Sequence, residues 1–148
     1  LEVLSHDTLD NFVASYSLEG IEPFSIVVYR PGMLQELKWD GQQPHVLNHD
    51  PGQPHIWASA TLYNKEVRAQ RQRDFETWLA TAPEFTQDAI FGFHTQGSQD
   101  RDNGLLIARD SGLQTVSVTS MKHTHGAPAE MLYRDLITQE HHLQTFNA

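Results

Sequence analysis

The sequence predicts an α+β fold in which mainly antiparallel sheets are layered against amphipathic helices. Turn signals at 31–32 and 40–41 separate short apolar runs, as they do in hairpins. The run 23–30 is apolar on nearly both faces, which is typical of a strand covered on each side. The segments 9–16 and 64–79 instead space their apolar residues along one face of a helix. Hairpins and one-sided helices together predict the layered arrangement.

The first half of the chain is predicted to form one helix followed by short strands. Leu9, Phe12, Val13 and Tyr16 recur at helical spacing, and Gly20 follows them as a stop signal. The strands predicted next are Pro23 to Arg30, Met33 to Trp39, His45 to Leu47 and His55 to Ala58.

The second half is predicted to form two helices and then further strands. Asn64 is placed to cap a long helix, and Thr86 is placed to cap a shorter one. The strands predicted after them are Gly104 to Arg109, Leu113 to Met121 and Ala129 to Ile137. Residues 1–137 are therefore predicted to form a single α+β domain, and 138–148 a polar tail.

The charge and hydropathy of the chain exclude several classes of partner. Its 148 residues carry a net charge of -9 at pH 7, so no nucleic acid partner is expected. No apolar run approaches the roughly 20 residues that a membrane-spanning helix needs, so no membrane span is predicted. A cytoplasmic location is expected.

The residues that usually bind metals give little support for a metal centre. The chain contains no cysteine, which excludes disulfides, thiolate metal sites and a cysteine nucleophile within these residues. Of the nine histidines, His123 and His125 form the tightest pair. Gly126 and Pro128 indicate that this pair lies in a loop, and the sequence places no carboxylate ligand near it. We therefore predict no metal site and no cofactor.

The stretch from His55 to Asn64 contains the candidate site. Ser59, Thr61 and Asn64 cluster at the N-terminus of the predicted long helix, where free backbone N–H groups and the helix dipole favour an anion or oxyanion. Arg68 lies about one turn further along and adds a bidentate donor. The alternative is an ordinary strand-to-helix turn with hydroxyl caps and a solvated Arg/Glu surface.

Five segments of the chain resemble, in order, bacterial NRDE-family proteins, which are relatives of the eukaryotic transport and Golgi organisation protein. The segments are LEGIEPFSIVVY, LQELKWDG, PHIWASATLYNKEVRAQR, LQTVSVTSM and MLYRDL. The resemblance runs from about Thr8 to Leu136. It implies an N-terminal-nucleophile hydrolase-like fold, a four-layer α-β-β-α sandwich, of which this chain is expected to form a part.

The resemblance also implies a nucleophile that these residues lack. In such enzymes, removal of the initiator Met exposes a cysteine whose thiolate attacks an amide, with the α-amine of that cysteine as base. Neither a cysteine nor an Asn-Arg-Asp-Glu string occurs here. We therefore expect the chain to be the C-terminal part of a longer protein and to be inactive by itself. The expected partner is the missing N-terminal part or a second copy, which would cover an exposed apolar face.

The candidate site further resembles a segment of choloylglycine hydrolases and penicillin acylases. In those enzymes an Asn that contributes to the oxyanion hole corresponds to Ser59, and Thr61, Tyr63 and Asn64 fall on later positions of the segment. The resemblance implies that Ser59 is an oxyanion donor, weakened because Ser replaces Asn. We name Thr61, Asn64 and Arg68 as the ligand-binding candidates of a hydrolase of non-peptide C–N amide bonds. Thr61 and Asn64 are expected to hold the loop, and Arg68 is expected to orient a substrate carboxylate or a buried acid.

Two other functions remain open at this point. One is a non-catalytic module that binds or traffics a small molecule such as a lipid or haem, because the eukaryotic relatives are linked to both and a fold does not fix chemistry. The other is a structural half-sandwich that has no site of its own.

Overall fold

The computed structural model contains two antiparallel sheets of three strands each, with helices beside them. It describes residues 2–59, 62–81, 84–95 and 100–146. The predicted α+β class and the predicted antiparallel pairing are therefore confirmed. The elements in chain order are a 3-10 turn (Glu2–Ser5), α1 (Leu9–Ser15), β1 (Phe24–Arg30), β2 (Met33–Trp39), β3 (Pro44–His49), α2 (Lys65–Thr81), α3 (Gln87–Thr95), β4 (Ser117–Lys122), β5 (Ala129–Asp135) and β6 (His141–Phe146).

The chain divides into two units, residues 1–68 and 69–148. The sequence predicted one domain over 1–137, and the division falls inside α2, where no linker composition marks it. Each unit holds one sheet and is described by itself. No helix among the described residues has both the length and the apolar character needed to cross a bilayer.

The first sheet is a meander in the order β1-β2-β3. Its first hairpin closes with Arg30 opposite Met33, and Gly32 takes the positive φ of 79° at the turn, which a residue with a Cβ adopts only with strain. β2 is the central strand, so both of its edges are paired, and residues 34–37 are all buried.

The core of the first unit lies between α1 and one face of this sheet. Leu9 and Phe12 of α1 cluster with Leu37 and Trp39 of β2, and all four are buried. The other two apolar residues of the predicted helical face pack against this cluster. The helical spacing therefore predicted the buried face of α1 correctly.

Polar groups at the start of α1 are paired with the sheet and with the helix cap. Leu9 N donates to Gln35 Oε1 at 2.8 Å, and Gln35 Nε2 donates to Asn48 Oδ1 at 2.9 Å. Thr8 caps the helix because its hydroxyl oxygen accepts from Asn11 N at 3.2 Å. These bonds satisfy groups that burial would otherwise leave without a partner.

The second unit contains the sheet β4-β5-β6, with α3 packed against β4. Thr86 caps α3 as predicted, since its hydroxyl oxygen accepts from Ala89 N at 3.1 Å. Phe91 of α3 is buried, and the guanidinium carbon of Arg134 in β5 lies 3.9 Å from its ring centroid.

Three predicted segments differ in the structure. The segment 104–116 contains an isolated bridge between Ala108 and Gln114 instead of a strand along its length. Residues 55–58 have no regular structure, although their composition predicted a strand. The predicted polar tail 138–148 contains β6, whose main chain pairs with β5. All side chains of β6 are exposed, which explains why its composition is that of an unpaired tail.

We expect Leu37→Ala to lower the free energy of unfolding of the chain by about 2–5 kcal/mol, because Leu37 is 0% exposed and its loss leaves a cavity under α1. The matched control is Leu47→Ala on the same sheet, where the side chain is 41% exposed, and its effect should stay below about 1 kcal/mol. Urea denaturation followed by circular dichroism measures both. Equal losses for the two variants would contradict the position of the core.

Candidate functional site

A groove lies on the face of the first sheet that is turned away from α1. Because side chains alternate along a strand, Leu37 and Trp39 face α1, whereas Glu36 and Lys38 face the opposite side. The irregular segment 55–59 meets this second face. The groove has a volume of about 790 Å³, and its lining includes Ser25, Val27, Glu36, Lys38, Trp57 and Ser59.

The buried carboxylate of Glu36 forms the floor of this region. Its side chain is 2% exposed. Its Oε2 accepts from His49 Nε2 at 2.9 Å, and its Oε1 lies 3.2 Å from the ammonium of Lys38. The Trp57 side chain donates a further hydrogen bond to it. Residues from β2, from the end of β3 and from the irregular segment therefore converge on one carboxylate.

The partners of Glu36 keep it ionised in spite of its burial. Burial by itself raises the pKa of Glu36, because a carboxylate is less stable away from water. The hydrogen bonds from His49, Lys38 and Trp57, together with the positive charge of Lys38, outweigh that effect and hold the pKa below its ordinary value. Glu36 is therefore a negative charge at neutral pH.

Three rings next to Glu36 fix the course of the irregular segment. The ring centroids of His49 and His55 are 5.2 Å apart, those of His49 and Trp57 5.7 Å, and those of His55 and Trp57 5.5 Å. His55 Nε2 also bonds Asp50 O at 2.7 Å. These ring contacts hold Trp57 over the sheet, since residues 55–58 form no strand that could pair with a neighbour.

The turn between β2 and β3 closes one end of the groove. Asp40 Oδ1 accepts from Gln42 N at 2.8 Å and Gln43 N at 2.7 Å, while Asp40 Oδ2 lies 2.9 Å from His45 Nε2. The hydrogen bond from the Gln43 backbone, followed by the bonds from His45 and Gln42, lowers the pKa of Asp40 to about 2. The sequence predicted this turn from Asp40-Gly41, but not the link to His45.

The predicted site residues occupy different positions around the groove and the helix start. Ser59 lines the groove, and its Oγ accepts from Leu62 N at 3.2 Å. Thr61 lies outside the described residues. Asn64 caps α2, since its Oδ1 accepts from Val67 N at 2.9 Å.

Arg68 belongs to the first turn of α2. It is half-buried, and its Nη1 donates to Tyr63 O at 2.9 Å. Tyr63 is itself buried. Arg68 therefore stabilises the backbone at Tyr63, just before α2. Among the described residues that line the groove, Ser59 is present, whereas Asn64 and Arg68 are not.

The sequence analysis missed Glu36, His49 and Trp57 as a cluster. The one signal in the sequence is the position of Glu36 within the run Leu34-Gln35-Glu36-Leu37, where an acid lies in the middle of a predicted strand. A buried acid needs partners. The partners themselves come from positions up to 21 residues away, and no spacing rule connects them.

The groove is suited to a small molecule with an apolar body and a polar end. The rings and aliphatic groups of Phe24, Val27 and Trp57 line it beside the ammonium of Lys38 and the hydroxyl of Ser59. Apolar walls with a few fixed polar groups are typical of ligand sites. Within the described ranges, no group of three or more His, Cys, Asp or Glu side chains is arranged to hold a metal ion.

Comparison with known proteins adds no relative. No family model, no curated protein and no solved structure matches the chain. Any function is therefore proposed from the geometry of the groove and from the resemblance of the quoted segments.

We expect Glu36→Gln to flatten the dependence of stability on pH. Since the pKa of Glu36 in the folded protein lies below its ordinary value of 4.5, the ionised carboxylate stabilises the fold above that pH. This contribution is lost as the pH falls through the lowered pKa. The variant lacks it, so its free energy of unfolding should fall less than that of the wild type between about pH 6 and pH 3. Urea denaturation at several pH values measures this.

The control for this titration is Glu19→Gln, which changes the charge equally at an exposed position. Its pH profile should follow the wild type. A Glu36→Gln profile parallel to both would show that the carboxylate has no favourable partners.

We expect Asn64→Ala to lower the free energy of unfolding by about 1 kcal/mol, because the N–H of Val67 loses its acceptor at the start of α2. Asn64→Asp should preserve most of the stability, since Asp is an equally good cap. Thermal unfolding followed by circular dichroism measures both variants. A loss of the same size in Asn64→Asp would contradict a capping role.

Proposed function

We propose that the chain provides the ligand-binding part of an amidohydrolase-like protein of the NRDE type, whose N-terminal cysteine nucleophile is supplied by a segment outside these residues. The observation that supports this most is the position of Ser59. It lies in the wall of a largely apolar groove, beside Trp57 and above the buried Glu36. Ser59 is also the residue for which the resemblance to choloylglycine hydrolases implies an oxyanion donor.

The proposed fold is a four-layer α-β-β-α sandwich, and each unit taken by itself is compatible with two of its layers. α1 packs on one face of the first sheet, and α3 packs on the second. The other faces carry exposed apolar side chains, namely Val27, Tyr29 and Leu47 on the first sheet and Met121 on the second. Such faces favour a covering layer. The proposal assigns that cover to the rest of the same protein or to a second copy.

The proposed mechanism assigns separate tasks to the groove residues. The apolar part of the substrate lies against Val27 and Trp57, which excludes water from the amide. The α-amine of the cysteine takes the thiol proton, and the resulting thiolate attacks the amide carbon. Charge then develops on the carbonyl oxygen, and the hydroxyl of Ser59 donates to it. The C–N bond breaks as the protonated α-amine gives its proton to the leaving amine, and water then hydrolyses the remaining thioester. Because Ser59 Oγ accepts from Leu62 N, the hydroxyl is fixed at the groove wall before the substrate arrives.

The residues after Ser59 are assigned a supporting task. Asn64 caps α2 and Arg68 donates to Tyr63 O, so both are assigned to stabilising the start of α2. The proposal keeps Thr61 as a ligand contact. The sequence analysis assigned Asn64 to holding the loop and Arg68 to orienting a substrate carboxylate or a buried acid. The bond from Arg68 to Tyr63 O favours a supporting role for Arg68 as well.

The test uses the gene product expressed from its own start codon. We expect its mature N-terminal residue, identified by mass spectrometry, to be a cysteine that p-nitrophenyl acetate acylates. We expect Ser59→Ala to slow the acylation by roughly a hundredfold, as the loss of one oxyanion donor does. The control Ser111→Ala, at an exposed turn of the second unit, should react as the wild type does. A different N-terminal residue, an unreactive cysteine or an unchanged rate in Ser59→Ala would each refute the proposal.

The apolar walls of the groove also favour a second candidate function, the non-catalytic binding of a lipid or haem. In that case the 148-residue chain itself should bind oleate or haem. Quenching of tryptophan fluorescence measures the first, and a shift of the haem absorbance band measures the second. Trp57→Ala should weaken the binding, whereas Trp78→Ala, in the second unit, should not. Absence of both signals would exclude this candidate.

A further inference from the structure

A second pocket lies in the second unit, at the end of β5 next to α3. It has a volume of about 470 Å³, and its lining includes Phe91, Thr95, Arg134, Leu136 and His141. Its residues 134–136 belong to the segment MLYRDL, which the proposed hydrolysis does not use. Arg134 in this pocket is half-buried and forms no ion pair with a described residue, and these two properties suggest a ligand.

Arg134 is half-buried without a counterion. No carboxylate of the described residues forms an ion pair with it, and no hydrogen bond of the described residues engages its guanidinium. Its contact is the ring of Phe91, 3.9 Å from the guanidinium carbon to the centroid. A cation on an aromatic face is stabilised by the ring electrons. Arginine tolerates this position better than lysine does, because its charge is delocalised and weakly hydrated.

The contact with Phe91 leaves the hydrogen-bond donors of Arg134 available. The guanidinium carbon lies over the ring of Phe91, and a cation–π contact engages the charge of the group without using its N–H donors. The ring therefore anchors the guanidinium and leaves its donors for a ligand. A planar fork held in this way matches the two oxygens of a carboxylate.

His141 provides a second hydrogen-bond donor next to Arg134. In the register of β5 and β6, Arg134 lies directly opposite His141, so the two side chains emerge on the same face of the sheet. His141 is exposed and also lines the pocket. Its imidazole can donate an N–H to a ligand in this pocket.

The acidic residues around the pocket select the charge of the ligand. Asp135 and Glu140 both line it. Asp135 Oδ1 is engaged by Ile137 N at 2.7 Å and Thr138 N at 2.8 Å, and these backbone bonds hold the pKa of Asp135 below its ordinary value. Two negative charges nearby disfavour a doubly charged phosphate more than a singly charged carboxylate.

We propose that Arg134 and His141 form a binding site for a small organic carboxylate whose apolar part contacts Leu136 and the wall of the pocket. The carboxylate accepts two hydrogen bonds from the guanidinium of Arg134 and one from the imidazole of His141. This site does not depend on the groove of the first unit. The result of its test is therefore independent of the proposed hydrolysis.

The test is an NMR titration of the 15N-labelled 148-residue chain with 3-phenylpropionate, followed at the Nε–Hε group of Arg134 and at the backbone amides of Leu136 and His141. We expect a saturable shift at all three. We expect 3-phenylpropionamide, which has the same shape and no charge, to produce no saturable shift, and inorganic phosphate to bind more weakly than the carboxylate. A flat titration with 3-phenylpropionate, or an equal response to the neutral amide, would overturn the proposal. Tighter binding of phosphate would overturn the choice of a carboxylate.

The variants separate recognition from folding. Arg134→Lys keeps the charge but loses the fork, and should weaken the binding by about tenfold. Arg134→Gln should abolish it, whereas Arg101→Gln, an equal charge change in an exposed turn, should leave it intact. His141→Ala changes an exposed residue, and a folded spectrum with several-fold weaker binding is expected. Unchanged binding in Arg134→Gln or in His141→Ala would refute the assigned donors.

Discussion

The negative charge of Glu36 beneath the groove is the constraint on which the first unit depends. A carboxylate in the covered face of a sheet is unfavourable unless donors surround it, and here the donors come from three separate parts of the chain. Segment 55–59 has no strand pairing of its own, so its position depends on side chains that meet this charge. The groove wall, and Ser59 within it, are thus positioned through Glu36.

The two units differ in how their buried charged side chains are paired. Glu36 is enclosed and fully paired, so its charge holds the structure together and leaves nothing for a ligand to satisfy. Arg134 is half-buried and rests on an aromatic ring, which stabilises the cation while its hydrogen-bond donors stay available. Pairing within the chain indicates a structural role. A charge that the fold orients but leaves without a counterion indicates recognition.

The elements that the sequence predicted well are those with local causes. The first hairpin and the buried face of α1 follow from turn residues and apolar spacing, and the caps at Asn64 and Thr86 follow from side chains that bond backbone groups within three residues. Of the predicted site residues, Ser59 lines the groove, whereas Asn64 caps α2 and Arg68 donates to Tyr63 O. Their roles in ligand binding stay a prediction.

The remaining features depend on contacts that composition does not encode. Glu36 and His49 become neighbours only after β2 and β3 pair, and Arg134 faces His141 only in the register of β5 with β6. Residues 55–58 have the composition of a strand, yet ring contacts with His49 fix them instead of a neighbouring strand. Local propensity is a weak guide where tertiary contacts decide the conformation.

The strand β6 has a practical consequence for anyone who shortens this chain. Because all of its side chains are exposed, a researcher could judge the residues after 137 to be dispensable and remove them. Such a cut would convert β5 from a central strand into an edge strand and expose its main-chain N–H and C=O groups to pairing with other molecules. The shortened chain would then tend to aggregate, and a loss of solubility could be mistaken for a failure of the fold itself.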